Sequence, residues 1–308
     1  MTHVSVIIPS YNGRQLLEKN LPAVIDAIQE NDEIVIVDDA SSDDTLAWMQ
    51  QQFSVVSQES SVKETLLYTS KFKNRLIKVL INQSNQRFAI SCNRGVSIAN
   101  YPILLLLNND VVPESDFLRP LLEHFKSPEV FAVGCKEIAT AEGNKAYGRA
   151  GGSFQRGFLV HFREPNQDER TTLWAAGGSA VFRKSMWDEL HGFDPDYRPA
   201  YWEDIDLSWR AIQQGWKILF EPLSVVHHNH ESTNASVFGK QQMEVMAYKN
   251  SILFMWKNAR GLDLVSHLLW LPYHIIFTSL RSHGRFLQGL WMACKTVFGH
   301  RLTNTSRV

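Results

Sequence analysis

The sequence has 308 residues, of which 44% are apolar, and its 31 basic and 32 acidic residues give a net charge of −1. This length is enough for one large or two modest domains with a full core. The near-neutral charge excludes a wholly basic nucleic-acid-binding protein, so we expect no nucleic-acid partner. The charge is nevertheless uneven, since residues 264–308 contain five basic and no acidic side chains.

The three cysteines, Cys92, Cys135 and Cys294, are far apart and odd in number. This pattern argues against a disulfide framework and favours a reducing, cytoplasmic compartment. The first residues lack a basic segment followed by a long apolar run, so we expect a first strand there rather than a signal peptide.

Short apolar runs alternate with segments of helical apolar spacing over the first 135 residues. The predicted strands are 4–9, 33–37, 76–81, 103–107 and 130–134. The predicted helices are 16–28, 43–52, 88–99 and one that begins at Pro113. This alternation predicts an α/β fold with a mostly parallel central sheet and helices on both faces. Ligands of such sheets bind at the carboxyl ends of the strands.

The rhythm changes after residue 136. Glycines cluster between 148 and 157, strands are predicted at 217–220 and 224–226, and a helix is predicted over 203–214. A long helix is predicted over 239–258, followed by strongly apolar helical segments over 262–298.

Acidic side chains follow two of the predicted strands. Asp38 and Asp39 end the second strand, where a carboxylate can accept hydrogen bonds from a nucleotide base or ribose, or can cap the next helix. Asp110 follows the fourth strand, where it can help to hold Mg²⁺ or Mn²⁺, or can belong to a polar turn.

A third acidic cluster opens the helix predicted over 203–214. Helix capping with an Asp206–Arg210 pair explains part of it. If Glu203 caps the helix, Asp204 is left to accept a proton from a hydroxyl nucleophile.

Three histidines, His227, His228 and His230, follow the predicted strand 224–226, and one of them can complete a metal shell. The chain has no CxxC or HExxH pattern, so a structural zinc site is a weak alternative. It also has no phosphate-binding loop, dinucleotide fingerprint or GxSxG elbow.

Taken together, the order of these segments resembles the family 2 glycosyltransferases of the GT-A fold, and in particular the bacterial branch with rhamnosyltransferases and other polysaccharide-building enzymes. The resemblance covers about residues 3–260, and these segments carry it: VSVIIPSYNG, EIVIVDDASSDDT, NQRFAISCNRG, ILLLLNNDVVP, AAGGSAVFRKSMWDELHGFDPDY, WEDIDLSWR and VVHHNHES.

The resemblance implies a role for each site residue. The residues expected to bind nucleotide are Pro9, Tyr11, Asn12, Asp38, Asp39, Asn93 and Asn109. Asp110 and His228 are expected to bind Mg²⁺ or Mn²⁺, Asp204 is expected to be the catalytic base, and Glu203 supports it. Gly177, Gly178 and Trp202 are expected on the acceptor side, although Trp202 is equally suited to core packing.

Two positions depart from the family pattern. Asn108 stands where the family has the first acid of its DxD motif, so a single carboxylate is left for the metal. Arg87 stands where the family has glycine, and its side chain either contacts phosphate or points to solvent.

The resemblance also implies domains and a reaction. We expect a GT-A catalytic domain over 1–235, with a nucleotide-sugar half (1–135) and an acceptor half (136–235), and a C-terminal extension of amphipathic helices over 236–308. The expected enzyme is an inverting, metal-dependent glycosyltransferase that uses a UDP- or dTDP-sugar. Its expected acceptor is a saccharide or lipid-linked saccharide in cell-surface polysaccharide synthesis. The alternatives are a catalytically degenerate GT-A scaffold and, less favoured, a nucleotidyltransferase, which would need a glycine-rich basic loop after the first strand.

Residues 264–280 are apolar and aromatic, but they are shorter than the roughly 20 residues that a spanning helix requires. We expect residues 264–298 to lie against an anionic membrane surface, at the inner face of the plasma membrane. Helices that pack on the domain or on a second subunit are the alternative, and a true membrane span is the least favoured one.

Overall fold

The computed structural model describes residues 2–53, 57–60, 66–72, 75–228 and 233–304. The chain divides into two compact units. The first consists of Met1–Ala150, Arg163–Pro195 and Glu203–His230, and the second of Gly151–Phe162, Asp196–Trp202 and Glu231–Val308. The functional domain limits expected from the sequence, at residues 135 and 235, stay a prediction.

The strands run in chain order as follows: β1 (Val4–Ser10), β2 (Glu33–Asp38), β3 (Ser57–Ser60), β4 (Leu66–Phe72), β5 (Arg75–Ile81), β6 (Ile103–Leu107), β7 (Val111–Pro113), β8 (Val130–Ala139), β9 (Lys145–Tyr147), β10 (Ala150–Gln155), β11 (Phe158–Arg163), β12 (Ser179–Arg183) and β13 (Lys217–His228).

The helices are α1 (Arg14–Ala27), α2 (Thr45–Gln52), α3 (Arg87–Ser97), α4 (Leu118–Glu123), α5 (Lys184–Glu189), α6 (Glu203–Gln213), α7 (Thr233–Asn258, interrupted at Gly239), α8 (Gly261–Tyr273), α9 (Ser279–Arg281) and α10 (Arg285–Asn304). One π-helical turn, His274–Thr278, joins α8 to α9.

The central sheet of the first unit has the strand order β3-β4-β5-β2-β1-β6-β12-β8-β13-β7, with β9 beside β8. Strands β5, β2, β1 and β6 are parallel, as expected from their helical crossovers. We expected a mostly parallel sheet, but the sheet is mixed. Strand β12 inserts antiparallel between β6 and β8, and β4 and β7 are also antiparallel to their neighbours. Strand β4 can run antiparallel to β5 because the two strands follow each other closely in the chain and need no helical crossover.

Both faces of this sheet are covered, as predicted. Val6 and Ile8 of β1 lie in one core with Leu17 and Leu21 of α1. Ile7 of the same strand lies in the opposite core, together with residues of α3, α5 and α6. Alternate side chains of one strand therefore enter two cores, which explains why the strand sequences are apolar throughout.

One predicted element is wrong. We expected a helix to begin at Pro113, but Val111–Pro113 is the short strand β7, and α4 begins only at Leu118. Proline is tolerated at a sheet edge, where its missing N–H leaves no ladder bond unmade. The strands predicted at 217–220 and 224–226 are one strand, β13, with an irregular register between Glu221 and Val225.

In the second unit, α7 holds the loop that contains residues 196–202. The buried side-chain amide of Asn250 lies 2.9–3.0 Å from the carbonyl oxygens of Tyr197, Ala200 and Tyr201. Tyr201 and Trp202 both adopt positive φ, 73° and 77°, so the loop is strained where this amide holds it. None of the helices in the described part of the chain has both the length and the hydropathy that a membrane span requires.

Candidate functional site

Asn12 joins the loops that follow β1 and β2. Its backbone N–H donates to the Ser41 hydroxyl (2.8 Å), and its side-chain oxygen accepts from the Ser42 N–H (2.7 Å). Asp38 accepts bonds from the backbone and hydroxyl of Ser41, and burial raises the pKa of Asp38 above its ordinary value. Asn12 and Asp38 therefore shape the carboxyl ends of β1 and β2, where we predicted nucleotide contacts.

Asp39 fixes the loop before α3. One carboxylate oxygen accepts from the Asn82 amide and the Gln86 N–H, both at 2.7 Å, and the other accepts from the Arg87 N–H at 2.8 Å. Asp39 thus caps α3 rather than α2, the helix that follows it in sequence. Its predicted contact with the base stays a prediction.

Asn109 ties the end of β6 to its surroundings. Its side-chain amide donates to the Ser10 hydroxyl (3.0 Å), and its backbone carbonyl accepts from the side-chain amide of Asn20 (2.9 Å). Pro9 is half-buried at the end of β1, and the Tyr11 side chain is exposed. The exposed ring of Tyr11 leaves a face open to a ligand at this edge of the sheet.

Asn93 has a structural contact that its sequence position did not predict. Its amide donates to the Phe193 carbonyl (2.7 Å) and accepts from the Phe193 N–H (2.9 Å). Both polar atoms of the amide are therefore engaged with the backbone after α5. Asn93 holds this loop in place in the structure, and its predicted contact with nucleotide stays a prediction.

Asp110 and His228, the two predicted metal ligands, lie side by side. Strand β7 begins directly after Asp110, and its first residue, Val111, pairs with His228 of β13. His228 Nε2 is 3.2 Å from Asp110 Oδ1, and Nδ1 on the other side of the ring is 3.3 Å from Glu137 Oε2. Ser179 donates to the remaining oxygen of Glu137. Strand pairing thus brings together residues that are more than 90 positions apart in sequence.

The Asp110–His228 pair has a donor set suited to a divalent cation. Two ligand atoms bound at right angles to one Mg²⁺ ion are about 3 Å apart, close to the 3.2 Å between Asp110 Oδ1 and His228 Nε2. Burial by itself lowers the pKa of His228, but Asp110 and Glu137 outweigh it and raise the pKa to about 10. The ring thus holds a positive charge between two carboxylates, where a cation can replace the proton. Among the described residues no group of three or more His, Cys, Asp or Glu is arranged to hold a metal.

Of the other two histidines, His227 is described and does not contact this pair. His227 points to Glu114, with Nε2 at 3.1 Å from its carboxylate, because successive residues of a strand face opposite sides. His230 lies outside the described residues.

The two glycines of the predicted acceptor side connect Asp204 to the end of β6. The Gly177 N–H lies 3.5 Å from Asp204 Oδ2, and the Gly178 carbonyl accepts from the Asn108 N–H at 2.9 Å. A Cβ atom at Gly178 would lie 2.5 Å from the side-chain nitrogen Nδ2 of Asn108. A side chain at this position would therefore displace the Asn108 side chain, against which the loop passes directly.

Asp204 is a half-buried carboxylate in the first turn of α6. Burial raises its pKa from 3.8 to about 6, although the N–H groups of Ile205 and Gly177 lower it in part. A carboxylate with this pKa is ionised at neutral pH and is a stronger base than an ordinary aspartate. This is the property that the predicted catalytic base requires.

The acidic neighbours of Asp204 in α6 are both buried. Glu203 is 7% exposed and Asp206 is 1% exposed. Asp206 forms the predicted pair with Arg210 (2.7 Å), and Arg210 also donates to the carbonyls of Leu190 and Gly192. Trp202 belongs to the second unit, where it is 7% exposed and packs against His161 and Phe254. Its environment is the core packing that was the alternative to an acceptor contact.

Two features of the site were not found from the sequence. Glu137 lies in the second half of a strand that we predicted to end at residue 134, so nothing pointed to its contact with His228. Arg87 adopts a φ of 70°, a left-handed conformation that favours glycine, at the position where the resemblance implies glycine. The signal for Arg87 was present in the sequence as a departure from the pattern.

Solved structures of glycosyltransferases have this fold. GalNAc-T7 with UDP, GalNAc and Mn²⁺ aligns over 83% of this chain and 48% of that chain, with a TM-score of 0.62 and 20% identity. Staphylococcus aureus TarS 1-349 with UDP-GlcNAc aligns over 96% and 81%, with a TM-score of 0.60 and 14% identity. The fold is therefore GT-A, as predicted.

The family follows from sequence. The model of "Glycosyl transferase family 2" matches residues 5–190, and that of "Glycosyl transferase family group 2" matches residues 103–298. The chain belongs to glycosyl transferase family 2. The predicted enzyme class, a glycosyltransferase, is therefore confirmed at the level of the family.

Two curated relatives illustrate the range of the similarity. The pre-mycofactocin glycosyltransferase of Mycobacterium tuberculosis is 28% identical over 156 residues, which are 51% of this chain and 33% of that protein. The O-antigen chain rhamnosyltransferase of Salmonella typhimurium is 23% identical over 257 residues, 76% of this chain and 69% of that protein. The chain thus spans one third of the first relative and about two thirds of the second.

Proposed function

We propose that this chain transfers a sugar from a nucleoside diphosphate to a hydroxyl group of a saccharide or lipid-linked saccharide, in the synthesis of a cell-surface polysaccharide. The observation that carries the proposal is the meeting of Asp110 and His228 at 3.2 Å, joined through the Gly177–Gly178 loop to Asp204. Relatives named as an O-antigen chain rhamnosyltransferase and a poly-β-1,6-N-acetyl-D-glucosamine synthase support the proposed role in polysaccharide synthesis.

The donor is proposed to lie at the carboxyl ends of β1, β2 and β6. Tyr11 offers its exposed ring to the base, and Asp38 and Asp39 fix the loops on which the nucleoside would rest. We expect a UDP- or dTDP-sugar. Neighbouring structures with UDP and UDP-GlcNAc support a nucleotide-sugar, while one mannosyltransferase neighbour has GDP-Man.

Asp110 and His228 are proposed to hold Mg²⁺ or Mn²⁺. When bound, this cation neutralises the negative charge that develops on the leaving nucleoside diphosphate. Neighbouring structures with Mn²⁺ support a divalent cation. Because Asn108 replaces an acid, the protein itself supplies one carboxylate, and the nucleotide's own phosphates must contribute ligands.

Asp204 is proposed to remove the proton of the acceptor hydroxyl as this oxygen attacks the anomeric carbon. The new glycosidic bond forms on the face opposite the breaking bond to the diphosphate, so the configuration inverts. The proton passes to the carboxylate of Asp204, which burial has made more basic. Glu203 and the Asp206–Arg210 pair keep the first turn of α6 in position.

We also propose that the reaction takes place at the inner face of the plasma membrane, since a lipid-linked acceptor would be presented there. The apolar and basic C-terminal helices support this location.

A donor screen tests the proposed function. The purified chain is incubated with UDP-, dTDP- and GDP-sugars and with a membrane extract as the acceptor source, and release of nucleoside diphosphate is followed with Mn²⁺, with Mg²⁺ and with EDTA. The proposal expects release from one donor that EDTA abolishes and that Asp204→Asn removes. Release of nucleoside diphosphate that continues in EDTA contradicts the proposed metal dependence. Nucleotide binding without release from any donor favours the catalytically degenerate scaffold.

A further inference from the structure

Helix α8 and the segment that follows it have their polar side turned inwards. His267 is fully buried, with Nδ1 at 2.8 Å from the Gly157 carbonyl, and His274 Nε2 is 2.9 Å from the Arg156 carbonyl. Ser279 and Ser282 are also buried. The two histidines contact the turn between β10 and β11, and the two serines bond to the backbone of their own helical segment, all within the same unit.

The close approach of this turn fixes the orientation of α8. Gly157 has a φ of 77°, and a Cβ atom there would lie 2.8 Å from His267 Cα and 2.9 Å from the Ser266 carbonyl oxygen. Phe158 packs edge-on against the rings of both His267 and His274. The histidine side of α8 therefore cannot rotate outwards without breaking this packing.

The outward side of the same segment is apolar. Leu269 is 76% exposed and Leu280 is 72% exposed. The other large exposed apolar residues between 262 and 280 are Leu262, Val265, Leu268, Trp270, Ile275, Ile276 and Phe277. A helix of a water-soluble protein buries its apolar face and exposes its polar face, so this segment has the reverse arrangement. Such an extended apolar surface marks a binding site.

The basic residues near this surface indicate an anionic partner. Arg281 is exposed directly after Leu280, and Lys295 is exposed on α10, where it lies over the Trp291 ring. Residues 264–308 contain no Asp or Glu, and the single acid between 262 and 280 is Asp263 near its start. A symmetric contact with a second copy would place this basic surface against itself. An anionic lipid surface offers both the apolar interior and the opposite charge.

We propose that residues 262–280 form a docking surface for an anionic lipid bilayer, with α8 lying in the plane of the interface and its leucines inserted among the acyl chains. The histidines and serines stay bonded to the protein and do not enter the lipid. This inference rests on the membrane location in the proposed function and assigns it to named residues.

The test uses the full chain with two kinds of vesicle, phosphatidylcholine mixed with phosphatidylglycerol and phosphatidylcholine alone. Co-sedimentation is expected with the anionic vesicles and is expected to weaken with salt. Leu269→Ser and Leu280→Ser are each expected to reduce binding about tenfold, because each removes a leucine from the lipid. Arg281→Gln is expected to reduce binding to the anionic vesicles about fivefold.

Leu223→Ser is the matched control, since Leu223 is also 72% exposed but lies in the first unit. It is expected to bind vesicles like the parent chain. An equal loss of vesicle binding in Leu223→Ser and Leu269→Ser overturns the proposal. A parent chain that does not bind vesicles but forms a dimer, which Leu269→Ser dissociates, also overturns it. Nucleotide binding measured in parallel keeps the two proposals apart, because a chain that binds nucleotide but no vesicle disproves only the docking surface.

Discussion

Replacing Asp204 with Asn is expected to stabilise the protein while it removes activity. Burial raises the pKa of Asp204 from 3.8 to about 6, so the folded protein favours the neutral carboxyl group. A raised carboxyl pKa contributes stability that is complete below about pH 4 and is lost as the pH rises through about 6. At neutral pH the ionised group therefore destabilises the fold by up to about 3 kcal/mol.

The asparagine variant removes this penalty and keeps an oxygen that can accept the Ile205 N–H, now at 2.9 Å. Because Asp204 is only half-buried, we expect a gain of about 1–3 kcal/mol at about pH 8, or about 2–6 °C in the unfolding temperature. Near pH 4 most of the gain is expected to disappear. Turnover is expected to fall about 10²–10⁴-fold, since the variant cannot accept a proton.

Thermal unfolding at both pH values, with turnover at about pH 8, measures these effects. Asp206→Asn is the control in the same helix turn. Its carboxylate pairs with Arg210, so this variant is expected to lose about 2 kcal/mol instead of gaining stability. An Asp204→Asn variant that is less stable than the parent chain at about pH 8, or that retains turnover, would refute the reasoning.

Further predictions concern the rest of the first unit. Turnover of the parent chain should fall about tenfold for each pH unit below about 6, as Asp204 gains a proton; a rate independent of pH in that range argues against it as the base. Arg87→Gly should be about 1 kcal/mol more stable than Arg87→Ala in thermal unfolding, because only glycine adopts a φ of 70° without strain; equal stabilities contradict this. Glu137→Gln should weaken Mn²⁺ binding about tenfold or more while the fold is kept, since Glu137 orients His228; an unchanged affinity assigns Glu137 no such role. Gly178→Ala should reduce turnover at least about tenfold by displacing Asn108, whereas Gly134→Ala, where Cβ has 3.8 Å of space, should not; a similar loss in both would point to general destabilisation.

The strands that carry the site were predictable because their sequences are unusual. A run such as 103–107 is buried on both faces, and a central strand whose sheet is covered on both faces needs apolar residues in succession. The polar residues that follow β1, β2 and β6 were then expected at one edge of the sheet. The Asp206–Arg210 pair was also predictable, because helix spacing alone brings these two side chains together.

The contacts that depend on strand pairing were not predictable. Strand β7 has only three residues and ends at a proline, so it has no periodicity of its own, and it forms because Val111 pairs with His228. The contact between Glu137 and His228 depends on the register of β8 with β13, whose pairing is irregular between Glu221 and Val225. Local sequence carries no information on such registers.

The inward orientation of His267 in α8 and of His274 in the turn after it was likewise not predictable from the sequence. The sequence indicated an apolar and basic segment, but composition does not say which side of a helix faces the protein. That orientation depends on the close contact of Gly157 with the backbone of His267.

We propose that Asp110 and His228 together bind a divalent cation that holds the donor's diphosphate. Calorimetric titration of UDP and dTDP into the chain, with Mn²⁺ and with EDTA, tests it most directly. We predict that one nucleotide binds only with Mn²⁺, that Asp110→Asn and His228→Gln each abolish this metal-dependent binding, and that Asp204→Asn retains it. Nucleotide binding that is equally strong in EDTA, or unchanged in Asp110→Asn, would contradict the claim.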